Sequence, residues 1–300
     1  MAMSESKTLI FVHIPKTAGS SLIAVLEKQF PVHRTYSTSY GGYYPDGRPL
    51  DDYHGSVKSF YALPPERLAQ IDLLYGHMPY GLHEKLPRPA EYFTFLREPV
   101  SRLISNYFFE GRTPNSPLYE LVRSGAMDLE AYHAHIVDVG IDNIQTRMIA
   151  GIFDPAGGPP VTPDILRQAQ ENLTQCFAFV GLQEAFEDSY LMLRHRYGWR
   201  YYDFPYRNVA PRKQNTATVP DDVRERIARQ HRYDLALYQT AQAIFARQRA
   251  ELGKTLELER MRLRSRRPIH RLSAGLQDTY WQMRRFSVRY WLRRHVARRT

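Results

Sequence analysis

The chain holds one cysteine, Cys176, in 300 residues, which excludes an internal disulfide and a cysteine-built zinc cluster. A reducing compartment fits that count. No run approaches the roughly 20 apolar residues that a membrane-crossing helix needs. The apolar stretch at residues 9–12 is cut by His13, so it is too short for a signal-peptide core. These absences predict a soluble, cytoplasmic protein. No metal-ligand spacing such as His-Glu-x-x-His occurs, so no metal is expected, and no internal repeat is found.

Acidic residues are scarce in one region only. Residues 253–300 hold 14 Lys/Arg against 3 Asp/Glu, while the whole chain holds 41 against 31. The net charge of +10 therefore belongs to the tail, and the body is close to neutral. The division predicted is a body at 1–252 and a basic tail at 253–300. Within residues 260–300, Leu276, Tyr280, Met283, Phe286 and Tyr290 recur at three- and four-residue steps among arginines. That is a basic amphipathic helix suited to an anionic membrane surface. Packing on the body or on a partner, and binding of an acidic polysaccharide, are the alternatives. Nucleic acid is disfavoured, because no recognised binding module accompanies the charge.

What is present is ordinary globular material, 43% hydrophobic and 24% charged. Residues 8–14 (Thr-Leu-Ile-Phe-Val-His-Ile) form a short β-branched and aromatic run stopped by Pro15, the pattern of a strand buried on both faces. Similar runs at 71–75, 92–96 and 177–181 predict three more strands. Helical spacing is read at 22–29, 100–109, 128–150, 165–173, 185–197 and from 221 to about 250. Residues 33–62, rich in Tyr, Gly, Pro and Asp, read as a long irregular segment, either an aromatic acceptor wall or loop packing. The fold class predicted is α/β, with a central, mostly parallel sheet flanked by helices.

In an open parallel sheet, ligands sit beyond the carboxyl ends of the strands. Three polar clusters fall at such ends. The first is Lys16-Thr17-Ala18-Gly19-Ser20-Ser21, where a small-residue turn meets a helix N-terminus. Free amides, hydroxyls and a mobile cation there suit a phosphate. The lysine precedes the only glycine, so this is not a Walker A loop. The plain alternative is a capped helix after a strand. The second cluster starts at Arg97 and includes Ser105 eight residues later, a fork and a hydroxyl that could converge on one anion. An Arg97–Glu98 pairing is the competing reading. The third is Gly76-His77, twenty residues before Arg97. Residues 142–147 (Asp-Asn-Ile-Gln-Thr-Arg) read as a solvated helix face, with Arg147 the exception.

Together the segments 13–21 (His-Ile-Pro-Lys-Thr-Ala-Gly-Ser-Ser) and 97–105 (Arg-Glu-Pro-Val-Ser-Arg-Leu-Ile-Ser) resemble the sulfotransferase superfamily that uses 3′-phosphoadenosine-5′-phosphosulfate (PAPS), in its carbohydrate branch. The stretch 179–187 is similar to a recurrent late segment there, and Gly76-His77 resembles the Gly-His of uronyl (heparan sulfate-type) 2-O-sulfotransferases. The resemblance covers roughly residues 8–250 and implies the P-loop nucleotide-kinase-like fold. It implies that Lys16 holds the 5′-phosphosulfate bridge and that Thr17, Ala18, Gly19, Ser20 and Ser21 line it. Arg97 and Ser105 would bind the 3′-phosphate, with Arg212 and Lys213 in a loop closing over it.

The implied activity is sulfuryl transfer to a carbohydrate or glycolipid hydroxyl, with PAPS as co-substrate and His77 as base. His83 and Glu98 are reserve bases, ahead of His54 and of His13, which is placed within the strand. A phosphoryl transferase on the same scaffold is one alternative. A peripheral membrane or glycan-binding protein with a degenerate donor site is another.

Overall fold

The computed structural model describes residues 7–38, 54–114, 116–201 and 219–265. Arg212, Lys213 and residues 266–300 lie outside the described residues, as does most of the Tyr-rich segment.

Among the described residues six strands form one parallel sheet: β1 (Thr8–Val12), β2 (Thr35–Thr38), β3 (His54–Gly55), β4 (Leu73–Gly76), β5 (Ala90–Leu96) and β6 (Phe177–Leu182), in the order β3-β2-β4-β1-β5-β6. All five residues of β1 are buried, because β1 is a central strand with both faces covered. Its neighbours are β4 and β5, with Val12 opposite Gly76 on one side and Thr94 on the other. The carboxyl ends of β4, β1 and β5 therefore lie side by side.

The helices are α1 (Gly19–Gln29), α2 (Val57–Tyr61), α3 (Pro65–Ala69), α4 (Pro99–Glu110), α5 (Tyr119–Arg123), α6 (Leu129–Asp138), α7 (Ile144–Ala150), α8 (Pro163–Gln175), α9 (Phe186–Tyr197), α10 (Asp221–Gln230) and α11 (Arg232–Leu252). The main core joins the sheet to α1, α7, α8, α9 and α11, while a smaller one lies between α4, α6 and α10, built on Leu103, Ile104, Tyr132 and Ile227. Both β2 and β3 fall inside the stretch read as irregular. Tyr36 is buried against Phe60 there, a core contact.

The single helix expected over 128–150 is two, parted by Gly140 and by Asn143, both with positive φ. The helix expected from 221 is likewise broken, at His231. Beyond Gly253, residues 254–265 are helical. They pack on the body through Leu256 and Leu263 in the main core. Arg260 also forms a two-pronged ion pair with Asp188 at 2.7 and 2.6 Å.

Candidate active site at the carboxyl end of the sheet

The turn after β1 holds two non-glycine residues in the left-handed region, Lys16 (φ 71°) and Ala18 (φ 67°). Such a conformation costs about 1–2 kcal/mol per residue for an L side chain, so the surroundings must hold it. Thr17 does part of this. It is buried, and its hydroxyl donates to the Ile14 carbonyl at 2.8 Å, closing the turn rather than lining it with a donor.

Ala18 is the N-cap of α1, and no side chain caps that helix. Ser56, Glu98, Asp128 and Thr162 cap α2, α4, α6 and α8 with a side-chain oxygen, while α3, α5, α7, α9, α10 and α11 start, like α1, without one. The first turn of α1, from Gly19 through half-buried Ser20 to buried Ser21, thus turns its amide end and positive dipole toward the strand end without an acid in that turn.

Gly19 is required by close approach. A Cβ there would sit 1.9 Å from His13 Cδ2. His13 lies one residue past β1, not within it, and its ring stacks on His77 with centroids 4.4 Å apart. At the end of β4, Gly76 has φ 140°, and a Cβ on it would meet the Thr38 carbonyl at 2.2 Å. Glycine is therefore needed there to deliver His77 to this position.

His77 Nδ1 lies 2.7 Å from the His13 carbonyl oxygen. A carbonyl only accepts, so Nδ1 carries the proton and Nε2 keeps the lone pair of the neutral ring. Burial lowers the pKa of His77, against a smaller upward pull from that hydrogen bond. His13 is pushed well below the ordinary histidine value by burial, and further by His77 and Lys16.

Arg97 follows β5 directly. Its Nη1 donates to the Lys16 carbonyl at 3.2 Å, and its Nε is buried without a hydrogen-bond partner. Lys16 Nζ sits 4.0 Å over the ring of Phe109. Its pKa is brought down to about 8, first by burial and then by the Arg112 and Arg97 charges. Ser101, Ser105 and Phe109 recur at four-residue steps on α4, so they share a face. Phe109 shows that this face is turned toward Lys16, which puts Ser105 on the same side.

The reserve bases are engaged elsewhere. Both carboxylate oxygens of Glu98 cap α4, accepting from Val100 N at 2.9 Å and Ser101 N at 2.7 Å. His83 contacts the Tyr92 hydroxyl at 3.0 Å, near the opposite end of β5. The 142–147 segment is corrected outright. Asn143, Gln145, Thr146 and Arg147 are all buried, the first three bonded to groups far away in sequence. Arg147 pairs with Asp142 at 2.8 Å and donates to the Pro159 carbonyl. Asp234 at the site's rear, and Glu184, which accepts from Glu98 N at 2.8 Å, were not singled out from sequence.

Among the described residues no three His, Cys, Asp or Glu side chains gather as a metal site. No helix among them is long and apolar enough to cross a membrane.

A helix N-terminus, Lys16 and Arg97 gather beyond the carboxyl edge of a parallel α/β sheet, the place where proteins of this fold class hold anionic ligands. The galactose-3-O-sulfotransferase family model matches residues 3–280, and the chain belongs to that family of sulfotransferases. Mouse galactose-3-O-sulfotransferase 2 is 24% identical over 275 residues, covering 86% of this chain and 68% of the relative. A crystal structure of mouse sulfotransferase SULT7A1 complexed with PAP aligns at 16% identity and a TM-score of 0.37. That alignment covers 75% of this chain and less than two thirds, 64%, of the other. The family matched is the galactose-3-O one; the narrower likeness to uronyl 2-O-sulfotransferases has no counterpart among these matches.

Proposed function

We propose that the protein moves the sulfuryl group of PAPS to a carbohydrate hydroxyl, with a galactose-bearing glycan as the acceptor class. The observation that carries this is the Arg97–Lys16 contact, 3.2 Å across 81 residues of sequence, which brings the two segments together. The residues present fit a bisphosphorylated nucleotide. The α1 amide end has no capping side chain, and the buried Arg97 Nε lacks an acceptor. A planar guanidinium answers a phosphate in two directions at once.

PAPS supplies an electrophilic sulfuryl group on a phosphate leaving group. The acceptor hydroxyl forms the new S–O bond as the sulfur–phosphate oxygen bond breaks. His77 takes the hydroxyl proton at Nε2, since Nδ1 is already bonded to His13. Lys16 and the α1 amides face the negative charge that grows on the departing phosphate oxygen. Arg97 and Ser105 hold the 3′-phosphate, and Phe109 offers Lys16 a resting place between turnovers.

Calorimetric titration of 3′,5′-bisphosphoadenosine against ATP tests the donor. Preference for the bisphosphate supports sulfuryl transfer, preference for ATP a phosphoryl transferase, and binding of neither a degenerate site. Radiolabelled sulfate transfer to a panel of glycans and glycolipids tests the acceptor. Labelling of uronyl but not galactosyl glycans would overturn the galactose reading.

A further inference from the structure

We infer that Gln145 is a positioning residue that lets the site distinguish a nucleotide carrying a 3′-phosphate from one without it. This rests on the donor reading above.

Ladder pairing of β5 ends at Leu96, whose carbonyl accepts from Gln183 N at 2.8 Å. The next residue is Arg97, and its backbone has no neighbouring strand to pair with. Gln145 takes that place. Its Oε1 accepts from Arg97 N at 3.0 Å and its Nε2 donates to Arg97 O at 2.9 Å. One side-chain amide thus satisfies both main-chain groups of the arginine, as a pairing strand would.

Gln145 is itself anchored. It stands in the first turn of α7, where Asp234 accepts from Gln145 N at 3.3 Å and from Thr146 N at 2.7 Å. The Thr146 hydroxyl donates to the same carboxylate at 2.8 Å. Gln145, Thr146 and Asp234 are each 0% exposed, so water has no access to replace a lost partner.

The amide holds the backbone of Arg97, not its guanidinium. It fixes the Cα of Arg97, and so the direction from which the guanidinium reaches both Lys16 O and a 3′-phosphate. The α1 cradle for the 5′-side group hangs on β1 and meets Gln145 only through the single Arg97–Lys16 contact. Loss of the amide should therefore weaken recognition of the 3′-phosphate far more than that of the 5′ side.

The test uses the full chain with Gln145→Leu and Gln145→Glu. Affinities for 3′,5′-bisphosphoadenosine and for adenosine 5′-phosphate are measured by calorimetry. Both variants should lose on the order of tenfold or more in bisphosphate affinity, with adenosine 5′-phosphate changed less than about twofold. Gln145→Glu should recover bisphosphate affinity, relative to the native protein, as acid protonates its carboxyl and restores a donor beside the acceptor. Gln145→Leu should not.

Equal losses for both nucleotides, or none, overturn the inference even if Gln145→Leu fails to fold, because Gln145→Glu reads the same ratio. If the native protein does not prefer the bisphosphate, the donor reading itself falls. A native preference kept intact by the variants sinks only the role of Gln145.

Discussion

His77 Nδ1 donates a hydrogen bond to the His13 carbonyl at 2.7 Å while the two rings stack at 4.4 Å. The residue that follows β4 is thereby locked to the residue that follows β1, in one tautomer. His77→Asn should lower kcat by about 10²–10⁴-fold, the usual worth of a positioned base. Bisphosphate affinity should change less than about twofold. Because burial lowers the His77 pKa, its basic form persists below the ordinary value of 6.5. The acid limb of kcat/KM should lie below that pH and disappear from the residual activity of the variant. Equal collapse of binding and turnover would make His77 a structural residue.

Lys16 predicts the alkaline limb. Its pKa of about 8 means that the free protein carries the charge below that pH and loses it above. The kcat/KM profile should fall on the alkaline side from near pH 8. Lys16→Arg, charged throughout, should remove the limb. Lys16→Ala should cut kcat by about 10²–10³-fold, the range seen when one stabiliser of developing charge is deleted. Unchanged turnover in Lys16→Ala would take the residue out of the mechanism.

Gly19→Ala tests the close contact behind the loop. The added Cβ would lie 1.9–2.0 Å from the His13 ring. The ring must move, and it can do so only by disturbing the His77 stack. Overpacking of this sort costs about 1–3 kcal/mol. Denaturant unfolding should show that loss, together with a fall in kcat. Native-like stability would mean that the His13 ring is free to turn aside.

Much of this arrangement was legible in the chain because its signals are local. The four apolar runs at β1, β4, β5 and β6 are bounded by Gly, Pro or charge, and the Lys16–Ser21 turn follows one of them. What was illegible depends on distant partners. In β2, Thr35-Tyr-Ser-Thr38 is mostly polar, and only pairing with β4 reveals it as a buried strand. The 142–147 segment looks like a wet helix face until Asp234, Gln230 and Arg97 are brought up to it from 48 to 89 residues away. Polar composition predicts solvent only when the partners are water.

The same buried cluster predicts acid sensitivity. His231 is fully buried, and its Nδ1 accepts from Asn143 N at 3.3 Å, a bond that a proton on that nitrogen would abolish. Burial brings its pKa down to about 3, helped by the Arg102 and His133 charges. In the unfolded chain the value returns to about 6.5. Between these two values the unfolded state binds a proton that the native state refuses, so stability must fall as the pH drops below about 6.5. The slope from this one residue is about 1.4 kcal/mol per pH unit. His13 and His77, also lowered, add to it in the same direction. Urea unfolding at pH 7, 6 and 5 should show the loss. His231→Gln should start less stable at pH 7 yet fall less steeply, and parallel slopes for the two proteins would show that His231 already carries its proton in the native fold.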